Sequence, residues 1–408
     1  MKTEHASSRL RRLALVAFVV MLSATFAVAA TAGGQAVGGG GYKLAGTWGK
    51  VGTANGQFST GGGGLAVDRA GNVYVADSDN NRVQVFSAKG AFLRKWGSTG
   101  AGDGQFGRAD DVAVAPDGTI WVADDPNGRY QAFSSGGAFK ASVSAPTGEL
   151  ARGVAVDGDG NVLGAVEGSS QSGFRVFRKG AGGWDPPAAM QAVMKLFRAD
   201  DVEASPDGSV YMVRSGTQGG GDFLQRYSAS GKLLRSTKLT SGDGTRALAV
   251  DLDCNVLASD GGPAAGFAKY SPSGKKLASG TLPYIANDLA VGPTGDLYAK
   301  IQSQGIARLV EDRSKPATAV IAGAVRVSGG VARVKYTLSG VACPAQVPGT
   351  ASLAGSGLSG KASVKVASGK TTVLSIPVKG SGASSAQFKI VLRTNGRPTI
   401  QTATVKVK

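Results

Sequence analysis

The chain has 408 residues, 63 of them glycine, and its 45 Lys and Arg outnumber its 28 Asp and Glu, giving a formal net charge of +17. It has two cysteines and one histidine, His5, which lies in a segment that we expect to be cleaved. The mature chain would then lack the side chains for Ser-His-Asp catalysis, histidine zinc sites and a disulfide-rich framework. Glycine at about twice its usual share of ~7% favours a turn-rich, all-β chain.

Residues 1–30 have the pattern of a secretory signal peptide. Four basic residues precede an apolar run over residues 13–20, and small residues close the segment at 27–30. A Gly-rich spacer follows at residues 31–41. The alternative is an uncleaved anchor, because residues 13–30 are mostly apolar and reach the lower length limit for crossing a bilayer. We expect cleavage, and therefore a bacterial protein that is secreted or associated with the cell envelope and has no transmembrane span once mature.

A repeated unit occupies the middle of the chain. An apolar strand, a tight turn and a second strand recur six times, with the turns centred on residues 71, 118, 160, 208, 254 and 295. The intervals of 41 to 48 residues between these turns are typical of four-stranded propeller blades. In most copies a third strand follows and ends in an aromatic residue, which supplies buried area between adjacent blades. The pattern predicts an all-β, six-bladed propeller over residues 42–312.

The sixth copy of the unit ends without a fourth strand. Residues 44–58 match residues 92–106 at a uniform offset of 48, and Trp48 in the first segment corresponds to Trp96 in the second. The N-terminal segment is therefore predicted to be a displaced fourth strand that pairs with the sixth copy. This pairing would close the ring through main-chain hydrogen bonds and remove an exposed sheet edge.

Residues 71–77 (GNVYVAD) and 81–86 (NRVQVF) resemble the NHL-repeat family of six-bladed β-propellers. The resemblance covers roughly residues 42–312 and implies the fold more than the function. The family includes protein- and RNA-binding modules, extracellular sensor domains of bacterial kinases and a few metal-dependent enzymes. Its zinc lyases, and the similar streptogramin lyases, depend on histidines that the mature chain would lack. This departure counts against both activities.

The residues just before each first strand are expected to converge at one mouth of the propeller channel. Asp111, Asp201 and Asp288 could together hold a hard cation such as calcium, whereas Arg152 and Arg246 could bind a polar ligand. The alternative is a ring of salt bridges and strand caps that needs no ligand. No cofactor is expected, and calcium or another divalent ion at the mouth is the alternative. The charged residues at these positions are Asp110, Asp111, Arg152, Asp200, Asp201, Arg246 and Asp288.

A second domain is predicted after a linker at residues 313–318. Short Val-, Ala- and Thr-rich strands over residues 319–408 indicate a small antiparallel β-sandwich of Ig-like type. Residues 316–408 contain 12 Lys and Arg and no Asp or Glu. Their surface is either simply solvated or binds an anionic cell-envelope polymer. Nucleic acid is not expected as a partner, because few aromatic residues lie between the basic residues. The predicted polyanion contacts are Lys361, Lys365, Lys370, Lys379 and Lys389.

The two cysteines are candidates for a disulfide between the two predicted domains. Cys254 replaces the turn glycine of the fifth copy, and Cys343 lies in the basic segment. Pairing requires a Cα separation that a sequence does not contain, so both the paired and the unpaired state stay open.

These observations lead to one functional hypothesis and two alternatives. The leading hypothesis is a secreted, non-enzymatic binding or scaffold protein that recognises a protein, peptide or glycan on a propeller face, with the basic module retaining it at the envelope. The first alternative is a metal-dependent hydrolase or lactonase-like enzyme that uses the carboxylates of Asp111, Asp201 and Asp288. The second alternative is a purely structural envelope protein.

Overall fold

The computed structural model describes most of the chain between residues 38 and 407. The predicted signal peptide, residues 1–30, lies outside the described residues. No helix in the described part is long and apolar enough to cross a membrane. The described residues are 38–39, 41–167, 171–180, 183–184, 192–195, 201–214, 221–239, 244–245, 247–251, 253–260, 265–311, 318–321, 326–339, 347–355, 358–366, 371–380, 385–394 and 397–407.

Short β-strands form nearly all the regular structure. A 3₁₀ turn at Ser78–Asn80 is the only helical element of the described residues. Four short strands precede the first repeat, and the last two of them pair in parallel. These strands are β1 (Gly38–Gly39), β2 (Tyr42–Trp48), β3 (Lys50–Val51) and β4 (Gln57–Phe58).

The first three repeats each form a four-stranded antiparallel sheet, as the repeat pattern predicts. Sheet 3 carries an additional two-stranded hairpin before its last strand. Sheet 1 contains β5 (Leu65–Val67), β6 (Val73–Asp77), β7 (Arg82–Phe86) and β8 (Phe92–Trp96); sheet 2 contains β9 (Ala109–Val114), β10 (Ile120–Asp124), β11 (Arg129–Phe133) and β12 (Phe139–Ser144); sheet 3 contains β13 (Leu150–Val156), β14 (Val162–Glu167), β15 (Gln171–Phe177) and β18 (Ala192–Lys195), with the hairpin β16 (Lys179–Gly180) and β17 (Gly183–Trp184).

The last three repeats form sheets of the same kind, and sheet 6 also takes in the first two strands of the chain. Sheet 4 contains β19 (Val202–Ala204), β20 (Val210–Arg214), β21 (Phe223–Tyr227) and β22 (Leu233–Lys238); sheet 5 contains β23 (Leu248–Val250), β24 (Val256–Asp260), β25 (Gly266–Tyr270) and β26 (Lys276–Thr281); sheet 6 contains β27 (Ala286–Val291), β28 (Leu297–Ile301), β29 (Gly305–Glu311), β2 and β1.

The first strands of these sheets contact one another in a closed cycle. In chain order β5 contacts β9, β9 contacts β13, β13 contacts β19, β19 contacts β23, and β23 contacts β27. The contact of β27 with β5 completes the cycle. The innermost strands therefore surround a central channel, and the segments that lead into them meet at one end of it.

Strand β2 closes this cycle on its outer side. It pairs antiparallel with β29, from Tyr42 opposite Glu311 to Trp48 opposite Ile306. The predicted pairing of the N-terminal strand with the sixth repeat is thus present. Tyr42 is 2% exposed, so the closing strand also contributes a buried aromatic side chain.

Aromatic side chains pack between neighbouring sheets in a repeated manner. The Trp48 ring lies 6.4 Å from the Phe86 ring and 6.2 Å from the Tyr298 ring. The Trp96 ring packs in the same way, 6.2 Å from Tyr74 and 5.7 Å from Phe133. Each tryptophan joins its own sheet to the next, and this explains why the two matching segments share a tryptophan at the same place.

An aspartate organises the turn between the first and second strands. In sheet 1, Asp68 Oδ1 accepts hydrogen bonds from the N–H groups of Ala70 and Asn72, each at 2.8 Å. Gly71 completes the turn with φ of 86°, a left-handed conformation that glycine adopts without steric cost. Cys254 holds the equivalent place in sheet 5 with φ of 58°.

The C-terminal strands form one connected antiparallel path. Its order is β30-β32-β35-β34-β33-β36-β37, with β31 also paired to β32, and β34 joins β35 through only two residue pairs. Residues alternate between buried and exposed along the described strands, as in β35, where Leu374 and Ile376 are buried between exposed neighbours. The antiparallel pairing agrees with the prediction, while the two-layer sandwich stays a prediction. The strands are β30 (Thr318–Ile321), β31 (Arg326–Ser328), β32 (Val331–Ser339), β33 (Val347–Gly355), β34 (Leu358–Val366), β35 (Thr371–Lys379), β36 (Ser385–Thr394) and β37 (Arg397–Lys406).

Candidate ligand site at the channel mouth

A cavity of about 370 Å³ lies at the end of the cycle where the first strands begin. Its walls are polar: main chain of the glycine segment 61–64, carboxylates and guanidinium groups. Two of the predicted mouth residues, Asp200 and Arg246, lie outside the described residues. The predicted residues that line the cavity are Asp110, Asp111, Arg152, Asp201 and Asp288.

Three carboxylates at the mouth bind the backbone of the following sheet. Asp111 Oδ2 accepts a hydrogen bond of 2.7 Å from the Val154 N–H of β13, and Asp201 Oδ2 accepts one of 2.7 Å from the Leu248 N–H of β23. Asp288 Oδ2 accepts one of 2.5 Å from Leu65 N–H, which begins β5. These hydrogen bonds thus join sheets 2, 4 and 6 to sheets 3, 5 and 1, respectively, through carboxylates in equivalent positions. We call these three side chains the clasping carboxylates. This arrangement corresponds to the strand caps that the sequence left as an alternative to a ligand site.

Burial and mutual repulsion disfavour the charged forms of Asp111 and Asp288. Burial raises the pKa of Asp111 and of Asp288 well above the usual value, and the nearby carboxylate of Asp201 raises both further. Glu203 shows the same effect, with burial as the largest cause and Asp201 as the next. Sequence reasoning missed Glu203, although it lies two residues beyond Asp201, where strand alternation places both side chains on the same face of β19.

The close approach of the clasping carboxylates explains one glycine of the mouth. A Cβ atom on Gly64 would lie 1.7 Å from Asp111 Oδ1 and 3.0 Å from Asp288 Oδ2. The Gly64 N–H also donates to the Asp110 carbonyl oxygen at 2.9 Å, which joins sheet 1 to sheet 2. A side chain at this position would force the two carboxylates away from their backbone donors.

Two arginines and three acids form a network on the rim of the cavity. Arg108 donates to Asp110 at 2.8 and 2.9 Å and to Asp125 at 2.7 Å. Arg152 donates to Glu167 at 2.9 Å and to Asp125 at 3.2 Å, and its Nη1 lies 3.4 Å from Asp110. Burial raises the pKa of Asp125, and the positive charge of Arg152 opposes that rise. Sequence reasoning named Asp110 and Arg152 and missed the other three. Asp125 and Glu167 lie at or just after the ends of second strands, and Arg108 lies two residues before the Asp110–Asp111 pair that the repeat pattern singled out.

A buried lysine donates hydrogen bonds to the glycine segment that lines one wall of the cavity. Lys300 is 2% exposed, and its Nζ donates to the carbonyl oxygens of Gly62 and, at 3.5 Å, of Gly61. Burial lowers the pKa of Lys300 to about 8. Lys300 lies opposite Asp288 in the β27–β28 pair, whereas the equivalent partner of Asp111 in sheet 2 is Ala123. The sequence analysis did not identify this residue, because its only signal is a lysine where another repeat has alanine.

The predicted metal ligands do not gather into a metal-binding group. Among the described residues no cluster of three or more His, Cys, Asp or Glu side chains has an arrangement that could hold a metal ion. Asp111 already accepts a backbone hydrogen bond on each carboxylate oxygen, from Val112 and from Val154. A divalent cation would have to compete with these bonds, and a metal site at the mouth stays a hypothesis.

None of the other predicted site residues that the structure describes lines the cavity at the mouth. Cys254 is buried, and because Cys343 lies outside the described residues, their pairing stays a prediction. Lys361, Lys379 and Lys389 are exposed on β34, β35 and β36. Lys365 lies in β34, and Lys370 falls outside the described residues.

The clasping carboxylates predict a specific dependence of stability on pH. A raised pKa means that the folded chain keeps protons that the unfolded chain has lost, so the stabilisation is full below the ordinary Asp pKa of ~3.9 and is lost as the pH rises through the folded pKa. Asp288→Asn removes the charge but keeps an oxygen that can accept from Leu65. We expect this variant to be more stable than the wild type at pH 8, by on the order of 1 kcal/mol, and to show a weaker loss of stability between pH 4 and pH 8.

Urea unfolding at several pH values measures this effect. Asp103→Asn, at an exposed position, is the matched control and should leave the pH profile unchanged. If Asp288→Asn were less stable than the wild type and its stability changed with pH as in the wild type, the charge would be needed for the hydrogen bond from Leu65.

Comparisons with known proteins bear on the fold. Residues 63–86, which include sheet 1 up to the end of β7, match the NHL repeat family. A search of curated proteins found no match to the chain. The NHL match and the four-stranded antiparallel sheets, with their cyclic contacts, identify an all-β propeller fold.

Solved structures of several kinds are similar to this chain. A streptogramin B lyase is 11% identical with a TM-score of 0.46, covering 66% of this chain and 98% of that chain. The gluconolactonase XC5397 from Xanthomonas campestris is 15% identical with a TM-score of 0.46, covering 61% and 85%. The WD40 propeller domain of Doa1 is 12% identical with a TM-score of 0.45, covering 64% and 81%. At these values the likenesses carry no argument about activity.

Proposed function

We propose that this chain is an exported, non-enzymatic binding protein built on a six-bladed propeller that its N-terminal strand closes. Its ligand is a polar group of a protein, a peptide or a glycan, bound in the cavity at the channel mouth. The predicted signal peptide supports export, and the six described sheets with the strand pairing of β2 and β29 support the architecture. The C-terminal strands form the predicted β-sandwich in this proposal.

The observation that carries the proposal is that the mouth carboxylates accept backbone hydrogen bonds from the neighbouring sheets. Asp111, Asp201 and Asp288 each accept a backbone N–H from the next sheet, so they hold the ring together. A general base or a metal ligand needs an oxygen directed at substrate or metal, and at Asp111 such a role would have to compete with a backbone hydrogen bond on each oxygen. Ligand-binding cavities commonly have volumes of about 300–1,000 Å³, and the cavity at the mouth, at about 370 Å³, falls within this range.

The rim arginines supply the donors for such a ligand. The described contacts of Arg108 use Nε and Nη2, and those of Arg152 use Nε and Nη1. One terminal nitrogen of each guanidinium therefore stays available for a ligand carbonyl, carboxylate or hydroxyl group. The acids of the network fix both side chains in place, which reduces the entropy lost on binding.

Arrays of defined peptides and oligosaccharides, followed by titration calorimetry of each hit, test the proposal. Arg108→Gln should weaken binding of the hits at least tenfold, because it removes a charged donor from the cavity wall. Arg69→Gln is the matched control, since Arg69 is exposed in the β5–β6 turn, at the opposite end of the strands. Equal affinity of the two variants would place the binding surface elsewhere.

The enzyme alternative is tested on the same protein. Lactone and ester hydrolysis would be measured with calcium, magnesium, manganese and zinc, together with the metal content of protein purified without chelator. Turnover that Asp201→Asn abolishes, with loss of a stoichiometric metal, would overturn the binding proposal in favour of a metal-dependent hydrolase. We expect neither turnover nor stoichiometric metal.

A further inference from the structure

We infer that the exposed face of the four-stranded part β34-β33-β36-β37 is a docking surface for a linear polymer with repeated phosphate groups. This surface is distinct from the channel mouth, and the inference does not depend on the ligand proposed there. It rests on strand register, on burial and on the distribution of charge.

Strand register places three exposed lysines close together on one face. Ser352 of β33 pairs with Lys361 on one side and with Lys389 on the other, so the two lysines lie in one row across the sheet. Their Cα atoms are about 10 Å apart, given a strand spacing of about 4.8 Å. Lys379 pairs with Ser359, which is two residues from Lys361 and therefore on the same face. Its Cα atom lies about 8 Å from that of Lys361.

The opposite face of the same strands is apolar and buried. Leu353, Leu358 and Phe388 are each at most 3% exposed, and Lys361 and Lys389 lie on the other face of the same strands. Lys379 lies on the neighbouring strand β35. Lys406, opposite Ser385 at the far end of β37, is also exposed on the lysine face. The ammonium groups are thus directed away from the core by the strand alternation itself.

No acidic side chain near in sequence can neutralise this face. Residues 316–408 contain 12 Lys and Arg and no Asp or Glu, whereas residues 31–315 contain 29 basic and 27 acidic residues. Nearly all the excess charge of the mature chain therefore lies within residues 316–408. A single-sign surface of this kind attracts polyanions and raises their rate of association.

The chemistry of the face favours a phosphate polymer over a membrane or a nucleic acid. Exposed Ser359 and Ser363 lie on the same face as Lys361 and can donate hydrogen bonds to phosphate oxygens or accept them from polyol hydroxyl groups. Membrane-surface segments gain affinity from large apolar side chains, and single-stranded nucleic acids stack on aromatic ones. The exposed residues described on this face of β34, β33, β36 and β37 include neither kind of side chain, and Phe388 is buried. The neighbouring strand β35 adds one exposed apolar residue, Val373, on the face of Lys379.

Binding of synthetic poly(glycerol phosphate) to the mature chain, titrated at several salt concentrations, tests the inference. Lys361→Ser with Lys389→Ser removes the central row while leaving two exposed hydroxyl groups. We expect this double variant to bind about tenfold more weakly and to lower the salt slope of log K by about 1.4, which corresponds to two fewer released counterions. Lys89→Ser with Lys232→Ser is the matched control, because both lysines are exposed on the propeller and the change in net charge is identical.

The possible results separate this surface from a general effect of charge. Full binding by the control and weak binding by the row variant, with unchanged thermal melts, would support the inference. Equal weakening of the two variants would overturn it, because net charge alone would then explain binding. Tighter binding to phosphatidylglycerol vesicles or to single-stranded DNA than to the polymer at the same salt concentration would overturn it in favour of that partner.

Discussion

A chain shortened to begin at Lys50 is expected to lose its cooperative unfolding transition and to aggregate. The truncation removes β2, which pairs with β29 over the length of sheet 6. Tyr42 is 2% exposed and Trp48 packs between Phe86 and Tyr298, and removing one buried large aromatic costs roughly 3–5 kcal/mol. That loss, with the contribution of the half-buried Trp48 and the lost strand hydrogen bonds, is comparable to the entire stability of about 5–15 kcal/mol of a typical domain.

The removal also exposes the edge of β29. This strand contains Ile306 and Leu309, and an unpaired apolar edge is a template for pairing with another chain. Thermal melts and size-exclusion chromatography measure both effects. A chain that begins at Gly41 keeps β2 and is the matched control, expected to melt like the full mature chain. A cooperative transition within a few degrees of the control, after truncation to Lys50, would show that the ring does not need its closing strand.

Asp77→Ala is expected to cost about 3–5 kcal/mol of unfolding free energy, since it leaves the buried charge of Arg82 without its partner. Asp77 is fully buried and accepts from Ser59 N–H at 2.7 Å, from Arg82 Nε at 2.8 Å and from Gln84 Nε2 at 3.1 Å. Arg82 in turn donates to three backbone carbonyls of the loop before β5. Loss of the carboxylate therefore removes one ion pair and also weakens the attachment of the segment 53–57, whose carbonyl oxygens Arg82 binds.

Sheet 2 contains an internal copy of this network, which provides a replicate. Asp124 accepts from Gly107 N–H at 2.8 Å, from Arg129 Nε at 2.7 Å and from Gln131 Nε2 at 3.0 Å. Asp124→Ala should therefore cost about as much as the change at Asp77, whereas Asp103→Ala, at an exposed position, should stay within about 0.5 kcal/mol of the wild type. Urea unfolding compares the three variants. Losses as small as that of Asp103→Ala would show that the networks contribute little to stability.

The residues of these two networks could be found from the sequence because they recur at fixed spacing. Asp77, Arg82 and Gln84 lie within the segment that resembles the NHL repeat, and the second copy preserves the same three residue types. Their partners are local in the chain or one loop away. Repetition of this kind reveals positions that the fold requires without any knowledge of three-dimensional contacts.

The candidate site was only partly predictable. Asp111 and Asp288 were named because they precede first strands, but their bonds to Val154 and Leu65 join residues 43 and 223 positions apart. Lys300 was not named, since its importance comes from the main-chain carbonyls of Gly61 and Gly62, which it meets only when the last sheet reaches the first. Contacts between residues so far apart in the chain produce no periodic pattern in a single sequence.

The recurring strand-turn-strand unit, the N-terminal strand that pairs with the last repeat and the concentration of positive charge after residue 316 could all be predicted from the amino-acid sequence. These features arise from local periodicity and composition, which short-range backbone preferences and hydrophobic burial translate directly into strands. The hydrogen bonds from neighbouring sheets to the mouth carboxylates, and the shared row of Lys361 and Lys389, are visible only in the folded chain. Both depend on the register between segments far apart in the chain, and that register is set by packing and hydrogen bonding in the folded protein.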